Sequence, residues 1–337
     1  MAVSVCVAVY LSLQPQRLSD LQRLSAFCGQ WLHGAHVYVA APIVYPPWAL
    51  VSLSWLALLP DGWLGPVWVA VNLLMLAGAA ALIARRFGAS ATPTAVLTCL
   101  LIAAGAGRSL NQFSLVSFTF GALGYFGAGR WRGVCLGLAC MKPQIGGVFL
   151  LATMLERRWR DLAVAACVPV ALTLIYALVA HVGIGQALTD YLGSATAERN
   201  GMTPGRTELT PLILARWRWI GPVAAAALVA AIAATPLMRA ARRDPSRGAF
   251  WLGAALVSLL SVRHLSYDFI LFLPWLATLE GAPLWIVACL IVGNPSGVIG
   301  MVAPMSFAAM YADRLLIVAL WLGTLRAAIE PRRETFR

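Results

Sequence analysis

The one lysine of this chain, Lys142, sits inside an apolar run, Leu138-Ala139-Cys140-Met141-Lys142-Pro143-Gln144-Ile145-Gly146-Gly147-Val148. An ammonium in such surroundings is costly to desolvate, so an ionisable residue there is read first as functional. Its chemistry would be that of a compact cation beside a broken helix, suited to a phosphate headgroup entering from the bilayer. Gln144 adds a neutral donor on the same turn. The bland alternative is a lysine stem that snorkels to an interface. A carboxylate, Asp20, opens the stretch Ser19-Asp20-Leu21-Gln22-Arg23-Leu24-Ser25-Ala26-Phe27-Cys28-Gly29-Gln30-Trp31-Leu32. Just outside a first membrane segment it is placed to serve as a general base; otherwise Ser19 or Asp20 only caps a helix.

Late in the chain comes Arg263-His264-Leu265-Ser266-Tyr267-Asp268. His264 and Asp268, four apart, share a face if helical, as a structural hydrogen-bonded pair or as part of a site in which Arg263 or protonated His264 meets a phosphate. Asn111 and Gln112 are polar groups at a span end, open to packing, capping or substrate contact. His33, His36, Asp20 and Asp268 show no metal-ligand spacing, so no metal is expected. Glu198, Arg199, Arg206 and Glu208 fit a solvated surface, or, with Gly201, Pro204 and Gly205, a mobile acceptor-side lid.

The elements that must hold these groups are membrane helices. With 61% hydrophobic and 11% charged residues, the 337-residue chain cannot wrap around one water-soluble core. The expectation is an all-α polytopic protein, one integral membrane domain over 1–337. The net charge of +12 comes from arginines in short linkers, as the positive-inside rule requires, so no nucleic-acid partner is expected. Seven cysteines without a CxxC pair behave as small hydrophobes. The abundance of Ala and Arg with one Lys fits a GC-rich bacterial genome.

Met1 to Leu13 is uncharged but short for a span, which a start codon placed too late would explain equally well. With that end cytoplasmic, residues 14–45 form a first outer loop, where Leu21, Leu24, Phe27, Trp31 and Leu32 fall near a helical period and predict an amphipathic helix at the interface. Arg85-Arg86, Arg130-Trp131-Arg132, Glu156 to Arg160, Arg239 to Arg247 and Arg332-Arg333 then share the cytoplasmic face, provided two segments fail to cross. Pro46 to Pro60 would be re-entrant or interfacial, and Gly133 to Leu155 a hairpin broken at Lys142-Pro143, because proline disfavours helix in the residue before it. In the competing arrangement both cross, and Arg85, Arg86, Arg130 and Arg132 move outside. The other spans are predicted near Trp63–Ala84, Thr92–Gly107, Phe113–Gly129, Leu162–Val182, Leu212–Leu237, Ala249–Val262, Phe269–Leu279, Pro283–Gly293 and Met305–Leu325. That makes roughly ten crossings, with a long outer loop over 183–209.

Taken in order, Ser19-Asp20, His33-Gly34-Ala35-His36-Val37-Tyr38, Val44-Tyr45-Pro46-Pro47, Asn111-Gln112, Lys142-Pro143-Gln144 and Arg263-His264 ahead of Pro274 resemble glycosyltransferase family 87. The resemblance implies a GT-C fold and a bacterial hexosyltransferase that takes a sugar, usually mannose, from a polyprenyl-phosphate donor to a lipid or glycan acceptor. It implies a multi-pass enzyme of the cytoplasmic membrane with its site facing the periplasm, needing no cofactor. It implies Asp20 as the catalytic aspartate, Lys142 as the lysine of the family's Lys-Pro-Gln motif and His264 as its late histidine. With the residues' own chemistry, Lys142, Gln144, Arg263 and His264 are expected as donor-phosphate groups and Asn111, Gln112, Tyr45 and Asp268 as candidate substrate contacts. Leu110-Asn111-Gln112-Phe113 departs from the family's Gly-Gln-x-Asn. No Gly-rich nucleotide loop is present, which suits a lipid-linked donor. A lipid flippase or transporter is the alternative class, although the inverted repeats usual there are not visible.

Overall fold

The computed structural model of the chain describes residues 6, 9, 10, 13, 18–40, 43–88, 112–201, 224, 227–234, 248–261, 270–278 and 317–322. Every regular element among them is helical. The chain divides into two compact units, Met1–Thr203 and Pro204–Arg337. In the first, α1 is Ser19–Leu32, α2 Val37–Ala40, α3 Pro47–Leu53 followed by a 3-10 turn Ser54–Leu58, and α4 Asp61–Phe87. Then come α5 Ser114–Phe126, α6 Arg132–Ala139, α7 Pro143–Leu155, α8 Trp159–Val179 and α9 Ile184–Gly201. In the second unit α10, Gly248–Ser261, buries Phe250 and Trp251 and packs on α11, Leu273–Leu276.

Among the described residues α4 and α8 are the helices long and apolar enough to cross a membrane. At about 1.5 Å per residue they run ~40 Å and ~31 Å, against a hydrocarbon core of roughly 30 Å. Asp61 in the first turn of α4 and Arg85 and Arg86 in its last complement the helix dipole, and Gly88 ends it in the left-handed conformation, φ 66°. On α8, Val170, Leu174, Ile175 and Leu178 stay exposed, as a lipid-facing side requires.

Gly133 to Leu155 folds as a hairpin. Gly133 and Gly137 lie so close to α8 that a Cβ on the first would stand 2.8 Å from the Asp161 carbonyl and one on the second 2.8 Å from that of Ala165. This small-xxx-small approach makes α6 run alongside α8 in the same direction. Pro143 forces Lys142 into extended backbone, φ −121° and ψ 92°, so α6 ends and α7 turns back. Gly146 then packs on Ala139 and Cys140, where its own Cβ would come within 2.7 Å of the Ala139 backbone. On the return, α7 reaches Glu156, whose carboxylate accepts from the Tyr125 hydroxyl at the end of α5.

Both feet of the hairpin therefore stand at one end of the unit. Arg158 donates to the carbonyls of Gly124 at 3.1 Å and Tyr125 at 3.2 Å, satisfying last-turn acceptors of α5, and pairs with Asp161 at 2.7 Å. Arg132 lies 3.7 Å from the same Asp161 oxygen. Phe126 meets Phe87 edge to face at 5.7 Å, which brings Arg85 and Arg86 to that end. Arg85, Arg86, Arg132 and Arg158 thus share one end of the unit, as the hairpin arrangement expects.

Residues 18–40 hold the expected amphipathic helix with a different partner. Leu21, Leu24, Phe27 and Trp31 of α1 are buried in a protein core with Leu50, Leu53 and Leu56 of the short segment beneath, so folded-back chain covers the face assigned to the interface. Cys28 donates to the Leu50 carbonyl at 3.6 Å, and burial pushes its thiol up to about 12. Residues 184–201 form α9 where a loop was expected; Ala187 and Ser194 provide a buried side on which it docks. Helix α8 starts before the expected Leu162, with Asp161 in its first turn. Thr92–Gly107 and Pro283–Gly293 lie outside the described residues, as does most of Met1–Leu13, Leu212–Leu237 and Met305–Leu325.

Candidate functional site

Lys142 occupies the tip of the hairpin as the residue before α7, and its carbonyl accepts from Ile145 at 2.9 Å and Gly146 at 3.0 Å. Its side chain is 8% exposed. The ammonium donates to the Ser114 hydroxyl at 2.6 Å and lies 5.9 Å from the Phe113 ring centroid. Ser114 opens α5, so at ~1.5 Å per residue this contact stands ~18 Å from the arginine end. The head is buried within protein. Two helices of thirteen residues, α5 and α7, begin here, so their positive dipole ends lie beside the ammonium.

Asp20 is exposed in the first turn of α1 and does not cap it; the residue preceding the helix is Leu18. Its Oδ2 accepts from Gln112 Nε2 at 2.9 Å. Gln112, Phe113 and Ser114 are consecutive, so one short strap leading into α5 touches the carboxylate with its first residue and the ammonium with its last two. Phe113 also meets Tyr45 edge to face at 5.4 Å. The Tyr45 carbonyl accepts from Tyr38 at 2.7 Å, and the Trp48 indole donates to Cys140 at 2.6 Å, which locks the start of α3 to the hairpin tip. Gln144 is half-buried on the first turn of α7.

A second cluster lies where the segment between α1 and α2 meets α9. His36 Nε2 is 2.9 Å from Asp190 Oδ2, and its Nδ1 is 3.1 Å from the Tyr176 hydroxyl. The carboxylate assigns the ring proton to Nε2. Trp31 stacks on Tyr176 at 5.9 Å and 7°, while Tyr191 meets Tyr38 at 5.7 Å and Trp48 at 6.0 Å. Burial raises both the Tyr38 and Tyr191 hydroxyls above the ordinary tyrosine value.

Of the residues expected to form a site, Asp20, Gln112, Tyr45 and Lys142 are thus linked through Phe113 and Ser114. Asn111, Arg263, His264 and Asp268 lie outside the described residues, as do Arg206 and Glu208. Sequence reasoning passed over Phe113 and Ser114, since an aromatic and a serine at the head of an apolar run are ordinary there. Only their place after Gln112 hinted at more. It also passed over Asp190.

The family model of glycosyltransferase family 87 matches residues 43–262, well over half of the chain. No curated protein and no solved structure matches it.

Proposed function

Because the chain belongs to glycosyltransferase family 87, we propose that it moves a sugar, mannose, from a polyprenyl-phosphate donor to a hydroxyl of a lipid or glycan acceptor at the outer face of the cytoplasmic membrane. The observation that carries this reading is the strap Gln112–Ser114, which ties an exposed carboxylate to a buried ammonium ~18 Å from the arginine end. Positive-inside bookkeeping makes the arginine end cytoplasmic, so a lipid-borne phosphate reaches Lys142 from within the bilayer and the acceptor reaches Asp20 from the other side.

In a single displacement the acceptor oxygen bonds to the anomeric carbon, the bond from that carbon to the phosphate oxygen breaks, and the hydroxyl proton passes to Asp20. The configuration inverts. The leaving phosphate goes from a singly charged diester towards a doubly charged monoester. A fixed ammonium and two helix N-termini therefore stabilise the transition state more than the bound donor. General-base assistance adds about 10²- to 10⁴-fold in rate.

The test offers membranes carrying the protein labelled polyprenyl-phosphate donors of mannose, arabinose and glucose with a broad lipid and glycan extract. Transfer from the mannose donor with inverted configuration at the new linkage is expected. Transfer from no donor would overturn the reading and favour lipid translocation.

A further inference from the structure

We propose that Gln112 is a positioning residue for the general base: its amide holds one oxygen of Asp20 so that the other faces the acceptor, and it sets the base at a fixed distance from the phosphate cation. The inference rests on Asp20 being the base and gives Gln112 a role other than substrate contact.

An aspartate in an exposed first turn samples several rotamers, and only one aims an oxygen at an incoming hydroxyl. The bond from Gln112 Nε2 to Oδ2, 2.9 Å long, removes that freedom and leaves Oδ1 as the proton acceptor. A neutral donor suits this task, because it stabilises the carboxylate without neutralising it as a cation would.

Gln112 is itself held from the cation side. The next residue, Phe113, is 8% exposed and packed on Tyr45 and Lys142, and the one after, Ser114, is 1% exposed and bonded to the ammonium. Any shift of the hairpin tip is passed through two buried neighbours to the amide that aims the base. In a displacement the base and the leaving group act on opposite sides of one carbon, so their separation must match the substrate. Errors of about 1 Å there cost on the order of 10²-fold.

Among the described residues the elements around α1 bring few other ionisable groups; Asp61 opens α4, whose Gly65 lies against Leu18 just before α1. On α1 itself, Arg23 lies 5.4 Å over the Phe27 ring, and Cys28 is buried. The segment Pro47–Leu58 packed against α1 carries none. From α2 comes Tyr38 and from α8 Tyr176, which stacks on Trp31 at the far end of α1, while Arg160 and Asp161 lie at the opposite end of α8. The strap contributes Gln112 alone.

The experiment measures kcat, donor KM and the pH dependence of kcat/KM for full-length Gln112→Met and Gln112→Glu in proteoliposomes, beside Asp20→Asn. Gln112→Met is expected to lose at least about tenfold in kcat with donor KM within about twofold of wild type. Gln112→Glu, nearly isosteric, places a second carboxylate against the first, so the pair shares a proton and the acid limb moves up by about one pH unit or more. Wild-type kcat and an unmoved acid limb would overturn the inference, as would kcat and thermal stability falling together with the limb in place, which marks a strap that only holds α1. If Gln112→Glu does not fold, Gln112→Met and Gln112→Asn decide by the split between kcat and KM. An active Asp20→Asn defeats the base assignment itself; an inactive Asp20→Asn beside unaffected Gln112 variants defeats this inference alone.

Discussion

His36 and Asp190, 154 residues apart in the chain, pair at 2.9 Å, and this contact fastens α9 to the segment between α1 and α2. Ser194 adds a second tie, accepting from the Ile43 amide at 2.6 Å. Asp190 is one-third exposed, so water screens the pair and Asp190→Ala should cost only about 1 kcal/mol. The loss should be local. Amide hydrogen exchange over 184–201 is expected to quicken while α5 and α7 keep their protection, and an unchanged α9 would show that Ser194 and the aromatic contacts hold it without the pair.

Two neighbouring glycines at the hairpin tip should behave differently. A Cβ on Gly146 would fall 2.7 Å from the Ala139 backbone, whereas one on Gly147 would meet nothing within 4 Å. Gly146→Ala should destabilise by about 1–3 kcal/mol through overpacking. Gly147→Ala should be neutral or slightly stabilising. Thermal unfolding in detergent compares them directly.

Lys142→Met should lower kcat and kcat/KM together by about 10²- to 10³-fold, because the interaction removed is one made most strongly to the leaving phosphate. Lys142→Arg should not restore activity. The ammonium is 8% exposed between Ser114 and Phe113, and a planar guanidinium is wider than a point-like head. Steady-state transfer assays on the two variants, with melting temperature as a folding control, check this.

The Cys28 thiol is completely buried and raised to about 12 by desolvation. At pH 9 it should resist maleimide in the native protein and react after denaturation in SDS. The sign follows from the neutral form being favoured on folding. The associated stability is fully present below the unfolded thiol's value, about 8.5, and is lost as pH rises towards 12. Peptide mapping of labelled and unlabelled Cys28 makes the comparison.

Much of this architecture was legible because individual residues force it. Pro143 behind Lys142 can only break a helix, and Arg85-Arg86, Arg130-Trp131-Arg132 and Glu156 to Arg160 share an end only if Gly133 to Leu155 turns back; the contacts of Arg132 and Arg158 with Gly124 and Asp161 show that it does. Lys142 stood out because a charge is costly in apolar surroundings, and Asp20 because it stands just outside the first expected span. Their connection did not stand out, since Gln112 reaches Asp20 across 92 residues and no local pattern encodes a tertiary hydrogen bond. The partner of α1 was hidden for a related reason. An amphipathic face shows that something apolar covers it, and Leu50, Leu53 and Leu56 serve as well as lipid would. Helix α9 was missed because Gly185, Thr189, Gly193 and Thr196 dilute its apolar period, while the ties holding it, Asp190 to His36 and Ser194 to Ile43, are distant in sequence.

The most direct test of the central claim is transfer of labelled mannose from the polyprenyl-phosphate donor by purified wild type and Asp20→Asn in proteoliposomes, with donor binding measured in parallel. The account predicts that Asp20→Asn binds donor like wild type and loses about 10²- to 10⁴-fold in kcat. An Asp20→Asn enzyme that turns over at the wild-type rate would contradict it.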